Sequence, residues 1–235
     1  MEFQSPRFQG DPDLLRILND PDTGTRKLGP GSPAAAVTRL QRALFDLAWT
    51  TRIDPPFLDE TQFVIGIFGP LTTKTMLAYK THFNIRFPPN DPNGLIDHFA
   101  GHQTMVSLDR GCVLHDASDA AIVAKAADVS AEGHVVVLDA TTPTTKPILG
   151  TEGAVRLASL DAGLAGFWHT AHLGAHVVHG AIVEKYVELG HAGGRLGFPV
   201  SDVFKDDPFT LRCDFEHGSI KHFPGKGEIE VIPPS

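Results

Sequence analysis

The sequence predicts a mixed α+β chain of several small modules, helices first and short strands after. Three observations carry this. Val37, Leu40, Leu44 and Leu47 recur on one face of a 3.6-residue period. From about Gly111 the character changes to β, with short apolar strands between glycine turns, as at 135–138 and 154–158. The 23 glycines and 18 prolines among 235 residues favour many short elements over one large core.

Residues 1–26 read as a leader with one short helix. Asp11-Pro12-Asp13 opens it, Leu14, Leu15, Ile17 and Leu18 form its apolar stripe, and Asn19-Asp20-Pro21 stops it. Gly29-Pro30-Gly31-Ser32-Pro33 is a hinge, with Ser32 expected as N-cap of the next helix and Pro33 in its first position. On that helix Arg39, Gln41, Arg42 and Asp46 lie off the stripe. A second helix is expected after Phe68-Gly69-Pro70, with Thr72 and Thr73 in its first turn, Met76, Tyr79 and Phe83 inward, and a left-handed Asn84 at its end. The loop between these helices, 50–69, is long enough to be an insertion or a binding loop. A third, shorter helix is expected over about 102–109, completing a helical domain over 27–109.

A small β module follows over 110–173. Its strands are 135–138, closed by Asp139 and a Thr/Pro cluster, then 154–158 with an Asp161-Ala162-Gly163 turn, then one starting at Phe167-Trp168-His169; together they suggest a small barrel. The last module, 174–235, combines a helix over about 181–189 with strands near 219–223 and 228–232.

Charge and composition narrow the function. The net charge is −8, from 20 basic and 28 acidic residues. With no basic run, nucleic acid is excluded as the expected partner. An acidic protein that binds anionic wall polymers must rely on a shaped groove, hydrogen bonds and aromatic faces. No stretch approaches the length of a membrane span. The first residues lack a basic segment followed by an apolar one, so synthesis in the cytosol without a signal peptide is expected, with action at the envelope or outside the cell if released with a particle. Cys112 and Cys213 point to buried small hydrophobes rather than a disulfide framework, although one bridge between them stays open.

Catalytic patterns were sought and no catalytic or metal residue is assigned. His169, His172, His176 and His179 have a suggestive spacing, but Gly174 predicts strand and turn, and on a strand His176 and His179 point to opposite faces. Neither cysteine sits in a peptidase or transpeptidase pattern. The pair Asp206-Asp207 falls in an expected Pro-flanked loop. No cofactor is implied. The second reading, from another class, is a toxin or wall-hydrolase payload with a metal or thiol centre in 110–180. For carbohydrate, the candidate rings are Trp49, Phe68, Trp168, Tyr186 and Phe198, each equally placed to be core. Arg39, Arg42, His217 and His222 are the candidate polar contacts, the two histidines flanking an expected hairpin.

Several stretches resemble known families. Val37-x-x-Leu40-Gln41-x-Ala43-Leu44, then Gly66-Ile67-Phe68-Gly69-Pro70-x-Thr72, then Tyr79, resembles the peptidoglycan-binding domain type 1 over about 27–109. Ala48, Ile65 and Lys80 depart from that pattern, where the family has glycine, aspartate and glutamine. Gly180-Ala181-Ile182, Tyr186, Leu189-Gly190, Leu196-Gly197-Phe198-Pro199-Val200-Ser201-Asp202 and Phe215-Glu216-His217-Gly218-Ser219-Ile220 resemble an LGFP repeat over about 164–232. Gly133-His134-Val135-Val136-Val137-Leu138 with Gly166-Phe167-Trp168-His169 is similar to bacterial SH3 strands, with degenerate LGFP-like sequence as the rival. The leader residues Phe8-Gln9-Gly10-Asp11-Pro12-x-Leu14, running into Leu28-Gly29-Pro30-Gly31-Ser32, are similar to proteins encoded with extracellular contractile injection systems. These resemblances imply a non-catalytic adaptor. Its partners would be peptidoglycan or another cell-envelope glycan, and, through the last resemblance, injection-particle proteins.

Overall fold

The computed structural model describes residues 1–20, 26–48, 64–88, 91–139, 145–148 and 151–234. The chain is mixed α+β, with helices first and antiparallel sheets after, in two compact units, Met1–His115 and Asp116–Ser235.

In the first unit, α1 (Pro12–Leu18) is capped by the Asp11 carboxylate, which accepts from the amides of Asp13 and Leu14. It buries Leu14, Ile17 and Leu18, and with Phe3 and Phe8 these side chains belong to the same core as α2 (Ala34–Ala48) and α3 (Pro70–His82). The leader is thus part of the unit. Asp109 fixes its path by accepting from the backbone amides of Gln4 (3.0 Å) and Ser5 (2.8 Å). Arg39 also engages it, donating to Arg7 O at 2.5 Å and facing Asp11 at 3.5 Å. Ser32 does not cap α2; its hydroxyl accepts from the Gly29 amide and closes the turn before the helix.

The Leu-Gln motif has a physical role. Gln41 is buried, and its amide group reaches the carbonyls of Val64 and Ile67 and the Thr72 hydroxyl, while its Oε1 accepts from Gly66 N–H. One side chain on α2 therefore seats the Gly66–Thr72 turn that starts α3. Gly66 has φ +79°, a left-handed conformation that glycine adopts without steric cost. On α3, Met76 and Tyr79 point inward as expected, but Phe83 is 47% exposed, its ring lying against Tyr79 at 4.6 Å. Asn84 is left-handed, with φ +52°.

The helix expected over 102–109 instead runs through α4, His102–Ala131. Its first residues belong to the first unit and the rest to the second. Gly111, read as the start of the β region, is inside it, and a Cβ there would lie 2.7 Å from Leu47 Cδ1. The buried positions Leu108, Cys112, His115, Ser118, Ile122, Ala126 and Val129 keep helical spacing throughout.

The second unit holds two open antiparallel sheets, not a small closed barrel. The first contains β1 (Val136–Leu138), β2 (Lys146–Pro147), β3 (Gly153–Leu160), β4 (Gly163–Thr170) and β5 (Gly174–His179). Its order is β1-β3-β4-β5, with β2 also on β3. β4 and β5 form one hairpin with Trp168 opposite His176, so the expected boundary at 173/174 falls inside a hairpin. Alternation splits the sheet's two faces. Ala158, Ala165, Phe167 and Val177 pack with Ile122, Ala126 and Val129 of α4, while Trp168 and Val178 enter the core with α5 (Gly180–Glu188). The second sheet is β6 (Phe204–Asp207), β7 (Thr210–Phe215), β8 (Gly218–Phe223) and β9 (Glu228–Ile232), in sequential order. Asp206 and Asp207 therefore lie on a strand, where Asp206 faces Lys221 at 2.6 Å and Arg212 at 3.9 Å.

Candidate functional site

In the first unit, residues from four separate stretches line one open groove: Asp20 and Lys27; Lys80 and 85–87; Asp97 and Phe99; and 101–104 at the start of α4. Two isolated β-bridges hold these stretches together. Leu28 pairs with Ala100 and Phe87 with Leu95, each through two backbone hydrogen bonds. Beneath the groove the Lys80 ammonium, 5% exposed, pairs with Asp97 and donates to Phe99 O. The lysine that departs from the family pattern thus stitches α3 to the 97–99 segment. The Phe99 ring rests on Gly29, where a Cβ would come within 2.5 Å of it, and carries the Lys27 ammonium 4.0 Å from its centroid. The Phe87 ring is 44% exposed. Arg86 is held by neutral acceptors, Nε donating to Asn84 Oδ1 (2.7 Å) and Nη1 to Gly94 O (3.0 Å). A solvent-facing ring and a fixed guanidinium lining one groove have the makings of a small-ligand site. Sequence reasoning missed it, because no periodic pattern connects its four stretches.

The candidates named from sequence do not gather there. Arg39 is committed to the leader, Arg42 is exposed on α2, and Phe68 is only 5% exposed in the first core. Trp49 lies outside the described residues. In the second unit Trp168, Tyr186 and Phe198 are 2%, 0% and 5% exposed. Rings so covered have no face to offer a sugar, and they are corrected here to core residues. His217 lies in the β7–β8 turn and His222 near the far end of β8, so the two do not converge.

The LGFP-like segment is a backbone clasp. Gly197 is left-handed (φ +69°), and a Cβ on it would meet Glu216 Oε2 at 2.5 Å. Its carbonyl accepts from Tyr186 Oη at 2.7 Å. The Phe198 amide donates to Glu216 Oε2 at 2.7 Å, and the Glu216 and His217 amides donate back to Phe198 O and Leu196 O. Pro199 bridges Phe215, and the Ser201 hydroxyl accepts from Asp214 N–H. The motif's residue types are thus accounted for by folding requirements. Burial pushes the Tyr186 hydroxyl and the Cys213 thiol well above their usual ranges.

Asp202 closes the segment. Its carboxylate accepts from Val177 N–H at 2.9 Å and pairs with Lys125 at 2.5 Å and His176 at 3.5 Å. Burial raises its pKa, but the donors of His176, Lys125 and Val177 outweigh this and hold it at about 2. A folded pKa below the unfolded value stabilises above about pH 4 and is lost as pH falls towards 2. For a carboxylate 35% exposed, solvent screening trims the effect to about 1–2 kcal/mol. Asp202→Asn should therefore flatten the stability-versus-pH curve between pH 4 and 2, as read by urea denaturation. Parallel wild-type and variant curves would show that Asp202 carries none of it.

His169 Nδ1 meets Ser118 Oγ at 2.9 Å, but Ser118 is 4% exposed and no carboxylate among the described residues pairs with His169. Burial also lowers the His169 pKa. His172 faces Glu216 and His176 faces Asp202, so the histidine series disperses. Among the described residues no three metal-ligating side chains come together. Cys112 and Cys213 are both buried thiols, each in a different hydrophobic core. No helix among the described residues is long and apolar enough to cross a membrane.

No protein-family model matches the chain, and no curated protein matches it.

Proposed function

We propose that the protein is a non-catalytic adaptor that binds cell-envelope glycan, peptidoglycan being the first candidate, through the groove of its first unit. The observation that carries this is the exposed Phe87 ring beside the fixed Arg86 in an open groove. A sugar offers an apolar face to a ring and hydroxyls to fixed polar groups, and no assembled catalytic group is needed. The second unit, whose LGFP-like residues serve its own folding, acts as a companion module. The leader's resemblance extends the proposal to an adaptor carried with a contractile injection particle.

Co-sedimentation with insoluble peptidoglycan at physiological salt tests it. The full chain should pellet with the polymer, and Phe87→Ala should weaken retention about 10-fold, the scale of a lost ring contact. Retention that ignores Phe87→Ala, or no retention at all, removes the groove as a glycan site.

A further inference from the structure

The groove's charges are unevenly satisfied. Of its two carboxylates, Asp97 is neutralised by Lys80 and accepts from the Phe99 amide, while Asp20 accepts from the Arg26 amide and keeps its charge. Its cations differ. Lys80 is neutralised by Asp97, but Lys27 touches only a ring face and Arg86 only neutral oxygens. Neither has a carboxylate partner among the described residues. The groove also takes in the first turn of the 30-residue α4, which contains no acidic residue. Peptide dipoles leave that end partly positive. In a chain of net charge −8, the groove is lined by three cations (Lys27, Lys80, Arg86) against two carboxylates (Asp20, Asp97), a net of one positive charge with histidine neutral.

Resting on the glycan reading of this groove, we propose that its ligand is a carboxylate-bearing glycan, the acid group taken by Arg86 and Lys27 and the sugar face by Phe87. Two single cations suit a monoanionic carboxylate. Arg86 is already oriented by Asn84 and Gly94, so binding need not order it. The long-range repulsion expected of an acidic protein is thereby offset at the site itself.

The test uses the full chain and four soluble probes in titration calorimetry: tetragalacturonate, neutral chitotetraose, a glycerol-phosphate tetramer and hexaglutamate. Tetragalacturonate should bind about 10-fold more tightly than chitotetraose, and its affinity should fall as salt rises. Lys27→Gln should cost about 5-fold for tetragalacturonate and leave chitotetraose unchanged, whereas Arg86→Gln should weaken both sugars, tetragalacturonate the more. Lys27 is exposed, so its variant keeps the test valid if Arg86→Gln disturbs the loop. Equal binding of the acidic and neutral sugars, indifferent to Lys27→Gln, overturns the charge inference and leaves the glycan reading standing. Preference for the phosphate tetramer or hexaglutamate overturns it in favour of another anion. Binding of none of the probes, together with no retention on peptidoglycan, removes both readings.

Discussion

A fragment cut at residues 27–109 should be unfolded, with the circular dichroism and protease sensitivity of a disordered chain, although its motifs suggest a self-contained domain. The cut removes Phe3, Phe8, Leu14, Ile17 and Leu18, all 5% exposed or less in the first core. Each such side chain contributes roughly 1.5–3 kcal/mol by burial, so their loss costs on the order of 10 kcal/mol. That equals the whole stability of a typical domain, even if a compact unfolded state trims the figure. The same cut severs α4 directly after Asp109 and strips that carboxylate of the Gln4 and Ser5 amides. It also removes Arg7, the partner of Asp46. Within the intact chain, Phe8→Ala isolates the effect and should cost about 3–5 kcal/mol in urea denaturation. A cooperative melt of the 27–109 fragment near that of the full chain would falsify the view that the leader is structural.

The failed domain edges have physical causes. α2 was legible because its stripe is made of large aliphatics, Val37, Leu40, Leu44 and Leu47. Beyond Asp109, α4 keeps the same spacing with Cys112, His115, Ser118 and Ala126, small or polar residues among which its period does not stand out. Gly111 read as a break, yet its missing side chain is where Leu47 packs. Strands β1 and β3 were readable from short apolar runs beside turn residues, and β8 and β9 were expected near where they lie. The groove was hidden for a different reason. Arg86, Phe87 and Phe99 meet only through the pairings of Leu28 with Ala100 and Phe87 with Leu95, which leave no mark on local composition. The aromatic candidates failed because Trp168, Tyr186 and Phe198 sit in motifs whose residue choice is governed by packing and backbone satisfaction, and a motif does not say which of its rings faces out.

Trp168→Ala should produce the largest single-residue loss in the second unit, about 3–5 kcal/mol by urea denaturation followed by circular dichroism. The indole is 2% exposed on β4 and lies over Gly166, where a Cβ would come within 2.5 Å of the ring. Its ring meets Tyr186 edge-on at 5.0 Å, and Tyr186 in turn lies 4.4 Å from Phe215 and donates to Gly197 O. Removing it opens a cavity where α5, the first sheet and the LGFP-like clasp share one core. Trp168→Phe separates the contributions. The indole Nε1 is buried with no hydrogen-bond partner among the described residues, so replacing it chiefly forfeits volume, and the cost should fall to about 1–2 kcal/mol. Because the ring has no exposed face, this variant should retain full peptidoglycan binding below its melting temperature. A folded Trp168→Phe protein that no longer bound the polymer would return Trp168 to the ligand site and displace the groove as sole contact.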